Sequence, residues 1–427
     1  MKTDDFYNGR YKMFAKYDNY RKLADFYDGL KASARKIIWT VYDKNITSLT
    51  KVDTLANLVA SHTLYIHGAS NLEGVTVGLT AKYQNNLTLL EEAGSFGNRF
   101  TPSPAASRYI KTCKSSAFDK VINKEMYLIT ENQIFENQEI EPNYLVTNIP
   151  LLLTQGVDSI AVGFRQIVLP RSVSSIIEYL KGKRKDLDVS YPEFSGPIKR
   201  LSNTQFLISG TFTRINTTTL EINEIPIGYD DISYKKVLIE LLEKDLIEDY
   251  DDHSIKNTFK FVIKMKRELL KRSDAEIIKM FKLEQTRSDV FVVYKDGKVI
   301  EYESAEKYLD DWIVWRLSKE QEYINKKLEK EIENLSYMNN KLLFIKLILD
   351  DKIVFKNQKK KEIVDQMIMN KIQSEYCDKL LQIPLYSLSI DSIIDEENKI
   401  KEQEKLIAKL KTIEPRTQFI SYLKDIK

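Results

Sequence analysis

Histidine is nearly absent from this sequence: His62, His67 and His253 are the whole complement in 427 residues. A histidine-based metal cage is thereby all but excluded, because such sites draw several imidazoles to one ion. The two cysteines, Cys113 and Cys377, lie far apart and form no Cys-x-x-Cys pair. That argues against a zinc or redox motif and suits a reducing compartment. No apolar run approaches the ~20 residues that a membrane helix needs. No apolar stretch follows Met1-Lys2-Thr3-Asp4-Asp5 either, so no secretory leader is expected, and the cytoplasm is the expected location. Phosphate loops of the Gly-x-Gly-x-x-Gly and Gly-x-x-x-x-Gly-Lys kinds are missing. So is a convincing Asp-x-Asp metal site, since Asp249-Tyr250-Asp251 follows a helical stretch and reads as a solvated turn.

What is present is unevenly distributed. The net charge is only +3, but residues 1–125 hold 18 basic against 12 acidic side chains. That surplus favours a polyanion partner for the N-terminal part, although many solvated surfaces look the same. The same region reads as short helices broken by glycine-containing turns, with apolar faces at Ile37, Ile38 and Val41 and at Leu55, Leu58 and Val59. Compact helices with a positive excess are compatible with a helix-turn-helix or winged-helix module.

Further along, Ile149-Pro150-Leu151-Leu152-Leu153 and Ile160-Ala161-Val162-Gly163 read as buried strand or loop framed by glycines. From about 190 to 300 the pattern alternates at Phe206, Ile208 and Phe212, at Leu220 and Ile222, and at Phe259, Phe261, Ile263 and Met265, which predicts strands. Asp296-Gly297 predicts a hairpin turn. Helical stretches near 232–248 and 273–283 make this an α+β section. In the last third, Leu328, Leu335 and Leu342 recur every seven residues beside Ile324, Met338 and Ile345, and Ile393, Ile400 and Ile407 repeat the spacing. Either a long antiparallel coiled coil with a globule at its tip or a plain helical bundle satisfies that pattern.

Three clusters carry potential chemistry. In Asp28-Gly29-Leu30-Lys31-Ala32-Ser33-Ala34-Arg35-Lys36, Lys31 and Arg35 fall on one helix face and can grip adjacent phosphates, although a solvated helix start reads the same. In Tyr65-Ile66-His67-Gly68, His67 can donate to a phosphate oxygen, although a lone His is more often structural. The third runs from Gly94-Ser95-Phe96-Gly97-Asn98-Arg99 to Ala105-Ala106-Ser107-Arg108-Tyr109, where Ser103 and Pro104 read as the cap and first residue of a helix. With 24 tyrosines present, composition does not select Tyr109.

In this order and at these separations, the clusters resemble the DNA-gate region of type IIA DNA topoisomerases. Asp28 to Lys36 is similar to that family's Asp-Gly-Leu-Lys-Pro-x-x-Arg-Arg/Lys element, with Ala32 replacing the proline. Tyr65 to Gly68 is similar to its Tyr-His-His-Gly, with Ile66 replacing a His, and Gly94 to Gly97 to its Gly-Asn-Phe-Gly, with Ser95 replacing Asn. Ala105 to Tyr109 is similar to its nucleophile element Ala-Ala-x-Arg-Tyr. Pro150 to Gly163, Val168-Leu169-Pro170 and Glu224-Ile225-Pro226 extend the resemblance over most of the chain. The short length and Pro170-Arg171-Ser172-Val173 are most similar to the medium subunits of T-even-like bacteriophage enzymes, and a viral origin would imply the cytoplasm of a bacterial host.

The resemblance implies an α+β multidomain fold. It would comprise a winged-helix DNA-cleavage domain (1–170), a strand-containing tower (171–303), coiled-coil arms (304–345 and 393–427) and a helical exit-gate globule (346–392) where two copies dimerise. It implies Tyr109 as nucleophile, joined to a 5′ phosphate, with Arg108, Arg35 and His67 stabilising charge on phosphorus. Lys31, Lys36, Arg99 and Lys111 are implied as DNA contacts, and Ile167 and Val168 as the apolar wedge between base pairs. It assigns Mg2+ and ATP to a partner subunit carrying metal-binding (Toprim) and ATPase domains, with no metal held by this chain. Two other readings are weighed against it. A tyrosine recombinase or type IB enzyme needs an Arg-His-Arg set around a C-terminal tyrosine, whereas Tyr109 lies early. A non-enzymatic coiled-coil DNA-bridging protein leaves the first 170 residues unexplained.

Overall fold

The computed structural model describes residues 3–255, 258–384, 386 and 388–426. The chain divides into two compact units, residues 1–316 with 420–427, and residues 317–419.

In the first unit, the basic N-terminal part folds as a winged helix. Helices Ala32–Asp43, Val52–His62 and Ala69–Thr80 pack around a three-stranded sheet in which Lys111–Lys114 lies between Thr50–Lys51 and Leu90–Ala93. The 3.6-residue spacing of apolar side chains is what joins them: Ile37, Ile38, Val41, Leu55, Ala56 and Val59 are all fully buried. Two hairpins follow, Asn132–Phe135 with Gln138–Pro142, and Val157–Ala161 with Phe164–Val168. Between them Leu151–Gln155 forms a short helix, entered from Pro150 and ended at Gly156, where an extended or irregular segment was expected. A run of buried apolar residues is equally compatible with either state, and here the flanking proline and glycine bound one helical turn.

The strand-rich section holds two sheets. One orders Glu284–Ser288, Gln205–Ser209 and Ile198–Arg200; the other orders Thr211–Arg214, Thr219–Glu224, Phe261–Lys264 and Asp249–Asp252. Alternation is the cause: Leu220, Ile222, Phe261 and Ile263 face one core together with Tyr234, Val237 and Leu238 of helix Asp231–Glu243. That helix starts at a capping box in which Asp230 and Ser233 satisfy each other's backbone. Asp249-Tyr250-Asp251 is an edge strand paired with Phe261–Lys264 rather than a turn, its carboxylates pointing to water as edge strands often arrange. Asp296 and Gly297, with φ of 49° and 78°, form the expected turn between Val292–Lys295 and Lys298–Glu301.

Helix Ala305–Leu349 begins in this unit and is anchored at its start. Tyr308 Oη donates to Phe26 O (2.9 Å), Trp312 Nε1 to Tyr27 O (2.9 Å) and Arg316 Nε to Thr147 O (3.0 Å).

In the second unit, the later part of that helix and helix Ile390–Thr412 lie antiparallel. Lys341 Nζ meets Glu396 at 2.7 Å, and Gln403 Nε2 meets Glu331 Oε2 at 2.7 Å, so one number rises as the other falls. Ile324, Ile345, Ile400 and Ile407 of the heptad rows are buried. Helices Lys360–Met369 and Ser374–Leu380 close a small core around Phe344, Leu347, Met367, Cys377 and Leu380. A coiled-coil hairpin ending in a globule thus replaces the plain bundle.

Candidate functional site

Tyr109 stands on a turn just before the central strand of the winged-helix sheet. Its own N–H donates to Ala106 O (2.8 Å). The first amides of helix Val52–His62 fasten both sides of the turn, Val52 N to Ile110 O (3.1 Å) and Asp53 N to Ser107 O (3.5 Å). Ile110 packs inward with Val52, Ala81 and Phe96, and the next side chain back therefore points outward. Tyr109 is 69% exposed. The Arg108 guanidinium carbon lies 4.9 Å from the Tyr109 ring centroid, within the range of a cation–π contact. Lys111 is exposed at the first residue of the strand, opposite Lys51. The expected helix from Pro104 does not form. Ala105 N instead donates to Ser95 O (2.9 Å), crossing the segment against the Gly94–Gly97 loop.

Within the Asp28 element, Asp28 and Arg35 form a buried brace. Asp28 is fully buried and its carboxylate accepts four hydrogen bonds: from Arg35 Nε (2.6 Å), Arg35 Nη2 (3.1 Å), Leu30 N (2.9 Å) and Leu145 N (3.1 Å). Arg35 is itself only 1% exposed and has Asp25 at 3.6 Å. Burial opposes its charge, yet Asp28 and Asp25 outweigh that and hold it firmly protonated. The expectation that Arg35 stabilises charge on phosphorus is corrected: its cation is paired inside the fold. Lys36 is likewise committed, to Glu141 (2.7 Å) and Thr63 O (3.0 Å).

Lys31, the residue before helix Ala32–Asp43, is the cation of this element that faces outward. It lines an open cleft of about 560 Å3 with Arg21, Lys22, Tyr17, Tyr65 and His67. Burial pushes the Lys31 ammonium below its usual pKa, against the opposing pull of Asp158. His67 is exposed and its Nε2 lies 3.1 Å from Tyr17 Oη. Partial burial and then the charge of Arg21 push its pKa down. Sequence reasoning missed Arg21 and Tyr17. The only available signal was their spacing of four on a basic helix, which a solvated face would also display. Neither Tyr109 nor Arg108 lines this cleft.

Two further expectations are corrected. Arg99 is 7% exposed and braces the interior, bonding Glu224 Oε1 (3.0 Å), Ile225 O (3.1 Å) and Glu193 O (2.8 Å) between the rings of Phe194 and Phe259. Val168, at 2% exposure, is paired with Val157 in its hairpin and is core in this conformation. The segment is fastened by Asp289, which accepts from Leu169 N (2.7 Å) and Arg171 Nη2 (2.5 Å). Ile167 exchanges backbone bonds with Val290 (2.9 and 2.8 Å) and is half-buried. Both Ile167 and Val168 border a second cleft of about 680 Å3 that includes Arg165 and Arg287. The apolar side chains that face outward nearby are Ile160 and Val290.

No group of three or more His, Cys, Asp or Glu among the described residues is placed to hold a metal ion. The first cleft offers Glu141 and Asp158, of which Glu141 is already taken by Lys36, so its donor set does not fit a divalent cation. No described helix is long and apolar enough to cross a membrane.

Known proteins are similar to this chain in sequence and in fold. The family model for the A subunits of DNA gyrase/topoisomerase IV matches residues 21–426. The DNA topoisomerase medium subunit of Enterobacteria phage T4 is 28% identical over 95% of this chain and 94% of that protein. DNA topoisomerase 2 of Plasmodium falciparum (isolate K1 / Thailand) is 28% identical over 99% of the chain, and DNA topoisomerase 2-alpha of Gallus gallus 31% over 87%. The chain spans only 34% and 25% of those two relatives. The solved Plasmodium falciparum topoisomerase II DNA-binding, cleavage and re-ligation domain superposes with a TM-score of 0.87 at 26% identity, over 99% of this chain and 63% of that one.

Proposed function

The chain belongs to the family of DNA gyrase/topoisomerase IV A subunits, and we propose that it is the DNA-cleaving and religating component of a type IIA topoisomerase. The observation that carries this is the outward Tyr109–Arg108 pair, held on a stiff turn at the front of a winged helix.

Tyr109 Oη attacks a backbone phosphorus, the 3′ oxygen leaves and takes up a proton, and the 5′ phosphate stays joined to the tyrosine. Religation is the reverse step, because the ester retains the phosphodiester energy. Negative charge spreading over the non-bridging oxygens needs preorganised cations and donors. Arg108 lies against the nucleophile, and Lys31, Arg21 and His67 line the cleft. Tyr109 and that cleft do not meet within the chain, which supports a two-copy site where each tyrosine faces the other copy's cleft. A double-strand break also calls for two tyrosines on a two-fold axis. Exposed Phe355, Ile368 and Met369 on the helical globule offer an apolar contact for the second copy.

Type II topoisomerases use Mg2+ and ATP. We assign both to a partner subunit with Toprim and ATPase domains, since the donor set of the first cleft does not fit a metal. The four-part division, with boundaries at 170, 303 and 345–393, and a bacterial cytoplasmic location belong to the same proposal.

The test is cleavage trapping. The chain, a partner subunit, magnesium, ATP and supercoiled plasmid are quenched with detergent, wild type beside Tyr109→Phe. Linear DNA with protein on both 5′ ends, absent in the variant, is the expected result. Attachment at 3′ ends would move the protein to the recombinase class, and unchanged cleavage by the variant would remove Tyr109 from the chemistry.

A further inference from the structure

His67 sits on an open turn, where an exposed imidazole ordinarily samples several rotamers and both neutral tautomers. Here its ring is held from two sides. Tyr65 packs edge-on at 5.5 Å between centroids, with its own hydroxyl accepting from Asn71 Nδ2, and Tyr17 reaches Nε2 from the helix Lys12–Lys22 at 3.1 Å. One turn along that helix, the Arg21 guanidinium carbon lies 5.4 Å from the Tyr17 ring centroid. A cation over a phenol draws electron density from the ring, which makes its hydroxyl a better donor and a poorer acceptor. That favours donation from the Tyr17 O–H to Nε2, an arrangement that requires the imidazole proton on Nδ1.

We propose that Tyr17 is a positioning residue for DNA cleavage: its hydroxyl fixes the Nδ1–H tautomer of His67 and orders the ring, so that Nδ1–H is the donor offered to a phosphate oxygen. This rests on the cleavage function proposed above. Ordering a donor before the substrate arrives lowers the reorganisation needed at the reacting phosphate. A tautomer matters only while the ring is neutral, and partial burial with the Arg21 charge shifts His67 towards that form. Tyr17 and Arg21 lie on the N-terminal helix, Tyr65 on its own turn, and Lys31, Lys36, Glu141 and Asp158 around the cleft.

The test uses Tyr17→Phe, which keeps the ring beneath Arg21 and removes only the hydroxyl of a side chain that is 46% exposed. With three histidines in the chain, long-range proton–nitrogen spectra of histidine-labelled full-length protein resolve each ring. The expected result is Nδ1–H at His67 in the wild type. In the variant, Nε2–H, the form a free histidine side chain prefers, takes over and the His67 titration midpoint moves up. In the assembled enzyme, trapped cleavage falls by about three- to tenfold, the scale of one hydrogen bond, and its acid limb moves to higher pH. An unchanged His67 spectrum, or Nε2–H in the wild type, overturns the positioning role. So does unchanged cleavage by Tyr17→Phe where wild type cleaves and Tyr109→Phe does not. If the wild type gives no Tyr109-dependent complex, the cleavage function fails and the positioning role falls with it.

Discussion

Arg99 and Glu224, 125 residues apart in sequence, form a two-pronged buried ion pair, with Arg99 Nη2 and Nη1 at 3.0 and 3.3 Å from the two carboxylate oxygens. The same carboxylate accepts from Ser195 N (3.0 Å) and Ser195 Oγ (2.9 Å), so the pair is nearly saturated. It ties the loop after Gly97 to the strand Thr219–Glu224. Removing one partner leaves the other as an uncompensated buried charge, which costs about 3–5 kcal/mol. Arg99→Ala should therefore lower the melting temperature by several degrees, measured by calorimetry. It should leave the slope of log DNA affinity against log salt unchanged. Lys31→Ala should do the opposite, leaving the melting temperature nearly unchanged and reducing that slope by about one. A reduced slope for Arg99→Ala would return Arg99 to the DNA surface.

That contrast marks where the sequence was readable and where it was not. Local patterns carried through: the Asp296-Gly297 turn, the alternation at Leu220 and Ile222 and the heptads at Ile400 and Ile407 each depend on neighbours a few residues away. Asp249-Tyr250-Asp251 reads as a turn because an edge strand facing water has the composition of one. Arginine was misread for a different reason. A guanidinium in a basic motif looks the same whether it meets a phosphate or a carboxylate, and Glu224 is too distant in the chain to be seen as the partner of Arg99. Arg35 could have been caught, since Asp28 lies only seven residues before it in the same motif. At the site, Tyr109 and His67 stood out only through motifs that resemble the family's, while Tyr17 and Arg21 lay outside every motif.

Gly29 of the Asp28 element resists replacement for two separate reasons. Its φ is +73°, and a Cβ there would stand 2.2 Å from Leu152 N and 2.8 Å from Leu152 Cα, both backbone atoms that cannot swing aside. Left-handed strain and overpacking add, so Gly29→Ala should destabilise by about 3 kcal/mol or more. Gly68 is the control, with φ +84° but nothing within 4 Å of its notional Cβ. Gly68→Ala should cost only about 1–2 kcal/mol. Urea midpoints of the two variants measure the difference, and equal losses would mean that the contact with Leu152 relaxes freely.

Asp25 makes the stability of the first unit depend on pH in an unusual direction. Burial is the main cause of its raised pKa, and the nearby Asp28 charge adds to it. Arg35 at 3.6 Å and the hydrogen bond from Tyr27 N (2.8 Å) oppose these only partly, and the carboxyl is pushed up to about 7. Its ordinary value is 3.8. Between those two values the folded chain holds a proton that the unfolded chain has released, so stability falls as pH rises through the window and levels off above about 7. Asp25→Asn removes this titration while keeping the side chain's size. The variant should therefore gain on the wild type as pH is raised from about 5 to about 8, by on the order of 2 kcal/mol. Taking the difference between the two proteins at each pH cancels every other titrating group, so urea midpoints at those two pH values are sufficient. A constant difference would mean that Asp25 stays ionised throughout, with Arg35 shared evenly between Asp25 and Asp28.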